Sequence, residues 1–391
     1  MKKKYLKQIC ILSLIVWLQG FCTFSILAED KDIYLPNWSV RNNNGHLPLN
    51  SLAPYRTIDK QNQKKPLILI HGTVSDTRDY CDWEFLIQEI YKNELSQDEF
   101  DIYIYRYKTS TSDWNAILRN LQFGLKQLLA DYKPNTKLNF IVSSLGGNLF
   151  CDAMSSDKAL SRKVNKVISL GSPFWGTPLL TKELITGNQI QHRSLNKLFY
   201  NSSNLLYKSM SKRLEWQLSL KPEDLGKDNL AEKNCNQLRN KFINYGVYIS
   251  SPMTNKLNPK EKEIENWLSD NLITTNYQKA WNIFMHYKMS YEIENSLKQK
   301  NVYLLKFNDG LVPIFSSLWL DPKITKFINQ KTLNQEILNK IKIINPKARL
   351  FADLDHTDLT HTSTTNARKR NTDLLSGQKC SISDCIIMDL L

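Results

Sequence analysis

Four short segments with strand character constrain the fold more than any other feature. They span residues 66–70, 101–107, 138–142 and 164–170. The first is a continuous apolar run, which is typical of a strand buried on both faces in a parallel sheet. Segments with helical spacing, residues 83–91 and 114–132, lie between the strands. This alternation predicts an α/β protein with a mostly parallel central sheet flanked by helices.

The first 28 residues have the pattern of a secretory signal peptide. Four lysines within the first seven residues precede an apolar run at residues 9–18, and the chain turns polar directly after Ala28. A cleaved signal at residues 1–28 is therefore predicted, followed by one globular domain at residues 29–391. An uncleaved anchor stays open, because residues 9–28 are nearly long enough to span a bilayer. Either way the protein is expected to be exported, whether secreted, periplasmic or associated with the cell envelope.

The net charge and the cysteines indicate which partners and metal sites to expect. The net charge is +14, but no basic motif with interleaved aromatic residues indicates a nucleic-acid partner. A solvated basic surface is the preferred interpretation of this charge. Acidic lipid headgroups, and with them association with a membrane surface, stay open, as does an outer-surface polysaccharide. Cys380 and Cys385 are close enough in sequence for a small disulfide loop, and Cys151 is predicted to be a buried thiol. No pair of cysteines has metal-ligand spacing, so no metal site is predicted.

The third predicted strand, residues 138–142, runs directly into a serine–glycine turn at residues 143–147, and helical character follows. A serine on a sharp strand-to-helix turn is the nucleophile elbow, usually Gly-x-Ser-x-Gly. Ser144 and Gly146 fit this pattern, whereas Val142 stands where the first small residue is expected. Ser143 is the rival nucleophile. Ser144 is preferred because the two glycines follow it by two and three residues, where the turn needs them.

Together with this turn, four further segments resemble bacterial triacylglycerol lipases and related serine esterases of the α/β-hydrolase family. Residues 70–73 resemble the family's oxyanion loop, and residues 169–178 resemble the segment after the strand that follows the elbow. Residues 307–313 resemble the loop that carries the acid, and residues 354–358 the loop that carries the histidine. The order Ser, Asp, His is the family's own. The resemblance covers residues 66–180 and 302–359 and implies an α/β-hydrolase fold.

The resemblance also implies a role for each matching residue. Ser144 would attack an ester carbonyl, His356 would accept its proton, and Asp309 would orient the imidazole. The backbone amides of Thr73 and Leu145 would bind the oxyanion. The chemistry needs no cofactor. It would proceed through an acyl-enzyme intermediate.

Each assignment has an alternative. His361 competes with His356, which is preferred because it follows a predicted strand at residues 348–351 and stands after Asp355. His71 is expected to have a structural role in the oxyanion loop. Asp309 is part of an Asp-Gly pair that also suits a simple turn. Its position after a predicted strand at residues 302–307 favours catalysis.

Some relatives hold a structural calcium near the histidine loop, where this chain has Asp353, Asp355 and Asp358. Carboxylate oxygens at this spacing would suit calcium. The interpretation preferred here is three solvated carboxylates on a loop, and no metal.

The region between residues 181 and 300 is mostly helical and rich in aromatic residues, and the family resemblance does not cover it. Residues 242–250 have strand character and are a candidate for the next strand of the sheet. The flanking segments, about 181–240 and 252–300, are then predicted to form a largely helical cap over Ser144. An apolar underside would accept an acyl chain and exclude water. Alternatively, these aromatics pack the insertion's own core.

The predicted function is an exported serine hydrolase that cleaves carboxylic esters of lipids or small molecules. A phospholipase or thioesterase using the same triad stays open, as does a non-catalytic hydrolase-fold protein that binds a lipid or a partner. The oligomeric state is not predicted.

Overall fold

A computed structural model describes residues 49–59, 61–72, 83–107, 114–177, 235–249, 307–320 and 333–391. Several predictions fall outside these ranges. They are the signal segment at residues 1–28, the oxyanion residue Thr73, the strand at residues 302–306 and nearly all of the two cap segments. Those predictions therefore stay predictions.

Seven strands form one sheet in the order β1-β3-β2-β4-β5-β6-β7. Their bounds are β1 Ser51–Pro54, β2 Lys65–Ile70, β3 Phe100–Arg106, β4 Leu138–Ser143, β5 Val164–Leu170, β6 Phe242–Tyr248 and β7 Arg349–Ala352. β1 is antiparallel to β3, and every other neighbouring pair is parallel. The mostly parallel sheet is confirmed, and β6 is the strand predicted within residues 242–250.

Helices cover both faces of this sheet. They are α1 Glu84–Lys92, α2 Trp114–Asp131, α3 Leu145–Ser155, α4 Lys158–Lys163, α5 Ile314–Ser317, α6 Gln335–Ile344, α7 His356–Thr360, α8 Thr365–Arg368 and α9 Ile382–Leu390, with a 3₁₀ helix at Asn236–Lys241. Side chains alternate along β2: Ile68 and Ile70 join the core under α2, α3 and α6, whereas Leu67 and Leu69 join the core under α1 and α9. None of the helices in the described ranges is long and apolar enough to span a membrane.

Parallel pairing places the ends of β2 to β7 at two opposite edges of the sheet. The carboxyl edge is where these strands end, and the amino edge is where they begin. Gly72, Ser144, Gly171 and His356 all follow strands and so lie at the carboxyl edge. Asn308 joins them there, since its carbonyl accepts a hydrogen bond of 3.0 Å from Ile249 N, directly beyond β6.

The C-terminal segment adds structure that the sequence analysis did not predict. A two-stranded hairpin, β8 Asn371–Thr372 with β9 Lys379–Cys380, leads into α9, which packs on the sheet. The Cys380–Cys385 disulfide predicted from spacing is present, with Cα atoms 5.9 Å apart. Cys151 is a buried thiol, as predicted.

Candidate active site

Ser144 occupies the turn between β4 and α3 in a conformation that few non-glycine residues adopt. Its φ is 50° and its ψ is −124°. Its N–H donates to Leu170 O at 2.9 Å, and its own carbonyl accepts from Gly147 N at 3.1 Å. Val142 is fully buried and pairs with Ile70 and Ser169. The branched side chain at that position is therefore accommodated in the core, and the strained turn forms.

The loop after β2 lies directly against this turn. An ideal Cβ on Gly72 would be 2.7 Å from Ser144 Cβ, so only glycine fits this close approach. Thr73, the proposed oxyanion donor, is the next residue and lies outside the described residues. The other proposed donor, Leu145, is the first residue of α3. Its amide belongs to the helix N-terminus, where backbone N–H groups lack intrahelical partners.

His71 has a structural role in this loop, as the sequence analysis expected. Its ring stacks on Tyr107 with centroids 4.2 Å apart. Tyr107 N can only donate, so its 3.1 Å contact makes His71 Nε2 an acceptor and leaves the proton on Nδ1. That Nδ1–H donates to Gly72 O at 2.7 Å. The imidazole thereby fixes the backbone that precedes Thr73.

Asp309 and His356 form a buried pair. His356 Nδ1 is 2.7 Å from Asp309 Oδ2, and His356 N donates to Asp309 O at 2.9 Å. The other carboxylate oxygen, Oδ1, accepts from Leu311 N at 2.9 Å and Val312 N at 2.7 Å. Asp309 is fully buried and His356 is 6 % exposed. A carboxylate held in this way keeps the proton on Nδ1 and leaves Nε2 as the proton acceptor.

Residues 170 and 171 connect the serine turn to the imidazole. Leu170 O accepts from Ser144 N, and an ideal Cβ on Gly171 would be 3.1 Å from His356 Cε1. Ser144 and His356 therefore pack against consecutive residues at the end of β5. Within the described part of the chain, no hydrogen bond joins Ser144 Oγ to His356. Catalytic hydrogen bonds of this kind often tighten only in complex with substrate.

The rival residues have other contacts. Ser143 is the last residue of β4 and is 4 % exposed. His361 caps the C-terminus of α7, where its N–H donates to Thr357 O at 2.8 Å.

The interpretation of three solvated carboxylates is wrong for Asp355 and Asp358, each of which is 2 % exposed. They form a capping box at the start of α7. Asp358 N donates to Asp355 Oδ1 at 2.9 Å, and Asp355 N donates to Asp358 Oδ2 at 3.2 Å. The Asp-x-x-Asp spacing was the signal that would have predicted this cap. Across the residues that the structure describes, no group of His, Cys, Asp and Glu side chains is arranged to hold a metal ion.

One set of contacts around the site was not predicted. Ser316 Oγ, in α5, accepts from Trp175 N at 3.0 Å and donates to Gly176 O at 2.8 Å. Trp175 Nε1 donates to Leu320 O at 2.7 Å. The sequence analysis singled out residues 169–178 but not residues 314–320, and nothing in either segment indicated that they contact each other. These bonds join the segment after β5 to α5 and Leu320, directly beyond the loop that carries Asp309.

The strand order and the positions of these residues decide the fold. One antiparallel edge strand precedes six parallel strands, the serine turn follows central strand β4, and the aspartate and histidine follow β6 and β7. The chain has the α/β-hydrolase fold. The fold expected from the sequence is thus confirmed.

The structure is similar to solved structures of hydrolases whose sequences have low identity to this chain. The mature lipase BlEst2 of Bacillus licheniformis matches with 14 % identity, 81 % of this chain and 95 % of that chain covered, and a TM-score of 0.40. The meta-cleavage product hydrolase of Pseudomonas fluorescens matches with 11 % identity, coverage of 84 % and 91 %, and a TM-score of 0.35. No family model and no curated protein matches the sequence. Matches with such low TM-scores do not by themselves support a fold. The assignment of the α/β-hydrolase fold rests on the strand order and on the positions of the site residues.

Proposed function

We propose that this protein is an exported serine hydrolase that cleaves acyl esters with Ser144, His356 and Asp309. The observation that carries the proposal is the buried 2.7 Å contact between His356 Nδ1 and Asp309 Oδ2, beside a serine in a strained strand-to-helix turn. A histidine oriented by a carboxylate is the base that a serine hydroxyl needs, because the hydroxyl alone is a weak nucleophile.

The reaction would run through an acyl-enzyme. His356 Nε2 takes the proton of Ser144 Oγ as the oxygen attacks the ester carbonyl, and then returns it to the leaving alcohol. Water hydrolyses the acyl-serine in a second round of the same proton transfers. The amides of Leu145 and Thr73 stabilise the tetrahedral oxyanion, and loss of one such donor costs about 100- to 1,000-fold in rate.

The substrate and the location belong to the same proposal. The N-terminal pattern at residues 1–28 supports export, and the resemblance to lipases and esterases supports a lipid or small carboxylic ester. A thioester or a phospholipid would suit the same triad, since each carries an acyl group, as a carboxylic ester does.

The test is hydrolysis of nitrophenyl esters of increasing acyl length, together with labelling by a fluorophosphonate probe. The purified protein is compared with Ser144→Ala, and Ser143→Ala is the matched control for the neighbouring hydroxyl. We expect Ser144→Ala to lose labelling and at least about 1,000-fold in kcat. Ser143→Ala should keep both.

Two outcomes would overturn the proposal. Hydrolysis that survives in Ser144→Ala would assign the activity to another residue. A protein that neither reacts with the probe nor hydrolyses any ester would leave the alternative of a non-catalytic hydrolase-fold protein that binds a lipid or a partner. The preferred acyl length separates an esterase from a lipase.

A further inference from the structure

The amino edge of the sheet carries many cations where β4, β5 and β7 begin. Six of them lie in the last turns and loops that precede these strands: Lys133, Lys137, Arg162, Lys163, Lys342 and Lys347. All are exposed except Lys163, which is half-buried.

Hydrogen bonds bring these loops together. Lys137 Nζ donates to Arg162 O at 2.8 Å, and Lys163 Nζ donates to Pro134 O, so the loops before β4 and β5 are tied to each other. Lys347 Nζ donates to Asn240 O at 2.8 Å, which ties the loop before β7 to the start of β6. β5 and β6 are neighbours, and neighbouring strands are about 4.8 Å apart. The cations therefore form one continuous band, the basic edge, from β4 to β7.

The acidic side chains of the amino edge lie mainly elsewhere. Asp98 and Glu99 precede β3 and are paired with Lys64 and Lys65. Asp389 is bound by Arg349, at 2.6 Å. Among the described residues, no ion pair engages any cation of the basic edge. Three of its lysines, Lys137, Lys163 and Lys347, donate to backbone carbonyl oxygens instead. One exposed carboxylate, Asp131, lies two residues before Lys133, so the band of six cations keeps a net positive charge.

Exposed apolar side chains accompany these charges. Ile343 is 79 % exposed and Ile344 is 37 % exposed, and they lie between Lys342 and Lys347 at the end of α6. At the same edge, on the other face of the sheet, a groove is lined by exposed apolar side chains and by two cations and one carboxylate: Leu95, Met388, Leu391, Arg370, Lys379 and Asp384. Solvent-exposed isoleucines flanked by lysines suit a bilayer interface, where the cations meet phosphate and the apolar groups enter the acyl boundary. A phosphate polymer would engage the lysines but leave the isoleucines in water.

We propose that the basic edge is a docking surface for a membrane of anionic phospholipid. The charge complementarity of the unpaired lysines selects the anionic headgroup, and Ile343 and Ile344 anchor the contact in the acyl boundary. The inference does not depend on the proposed hydrolase activity, because the basic edge lies at the opposite end of the strands from Ser144.

Co-sedimentation of the purified protein with vesicles tests this surface. We expect binding to mixed phosphatidylglycerol–phosphatidylcholine vesicles, no binding to phosphatidylcholine alone, and weaker binding as salt is raised. Lys133→Glu/Lys342→Glu should lower the partition coefficient at least about tenfold. The control Arg119→Glu/Arg368→Glu makes the same change in net charge on exposed arginines toward the carboxyl edge, Arg119 near the start of α2 and Arg368 over Phe85 at the start of α1. It should stay within about twofold of the parent.

Ile343→Ser tests the apolar contact separately and should weaken vesicle binding several-fold without changing the salt dependence. The proposal is overturned if the two double variants bind equally, if Ile343→Ser is without effect, or if heparin is bound and vesicles are not. Ester hydrolysis by the Lys133→Glu/Lys342→Glu variant should equal that of the parent. A failure of vesicle binding is therefore distinguishable from a failure of the proposed activity.

Discussion

Gly171 separates the serine turn from the imidazole of His356. Its φ is +62°, and a Cβ there would be 3.1 Å from His356 Cε1 and 3.2 Å from Nδ1. Gly171→Ala should therefore displace the ring that the Asp309 carboxylate orients. We expect kcat for a nitrophenyl ester to fall by about tenfold or more, since misplacement of a catalytic group by about 1 Å can cost 100-fold.

Gly377 supplies the control for this substitution. Its φ is +76°, but nothing lies within 4 Å of its ideal Cβ. Both alanine variants should lose stability to the left-handed conformation, by about 1–2 kcal/mol each. Only Gly171→Ala should lose activity at temperatures where both are folded. Equal kcat values for the two variants would show that the Gly171 contact with His356 has no part in the reaction.

Single residues also show where sequence reasoning stops. The serine turn was predictable, because Ser144, Gly146 and the preceding apolar run are local signals. The burial of Asp355 and Asp358 was not predicted, since they were interpreted as solvated groups although their spacing suits a helix cap. The tautomer of His71 depends on Tyr107, which is 36 residues away in sequence. Contacts of that kind have no local signature.

At the scale of elements, Ser316 joins α5 to the segment that follows β5. Its buried hydroxyl accepts from Trp175 N and donates to Gly176 O. Ser316→Ala leaves Trp175 N without this acceptor, and a buried unsatisfied group costs about 1–3 kcal/mol. We expect a loss of this size in the free energy of unfolding by urea, together with a lower kcat, because α5 directly follows the Asp309 loop.

Ser317 is the adjacent control. It is equally buried, but its hydroxyl donates only to Ile314 O, within the same helix, at 3.2 Å. Ser317→Ala should leave kcat unchanged. If both variants lower kcat alike, the effect belongs to α5 as a whole and not to its bond with the segment after β5.

The elements that the sequence predicted are those with strong local patterns. β2 and β4 are short apolar segments, and α2 has clear helical spacing. β1 was missed because it has four residues and ends in a proline, so it lacks the length of a typical strand. α9 and the β8–β9 hairpin were missed because their place depends on distant partners. Lys166 of β5 donates to Leu390 O at 2.9 Å, across 224 positions of sequence.

At the scale of the whole molecule, a network of charged and polar side chains at the amino edge holds α9 against the sheet. Arg349 Nη2 is 2.6 Å from Asp389 Oδ1, and Tyr245 OH donates to Asp389 Oδ2 at 2.6 Å. Hydrogen bonding to Asp389 raises the pKa of Arg349, so the guanidinium stays charged. Asp389→Asn leaves the guanidinium with Asp373, at 3.3 Å, as its remaining carboxylate partner and should cost about 1.5–3 kcal/mol in the free energy of unfolding. Asp384→Asn, an exposed position on the same helix, should cost under about 1 kcal/mol, and equal losses would contradict a role for the network.

The positions of the two edges of the sheet predict how the catalytic residues are oriented when the protein is bound to a membrane. Ser144 and His356 lie at the carboxyl edge, and the basic edge lies at the other end of the same strands. A membrane bound to the basic edge would therefore leave the proposed catalytic residues facing away from the bilayer. Since docking neither covers nor distorts that edge, kcat for a water-soluble nitrophenyl ester should be the same with and without anionic vesicles. The measurement is kcat in stopped assays, without vesicles and with enough anionic vesicles to bind all of the protein. A several-fold rise in kcat on vesicle binding would instead mean that the bilayer contacts the carboxyl edge, and the assigned orientation would be wrong.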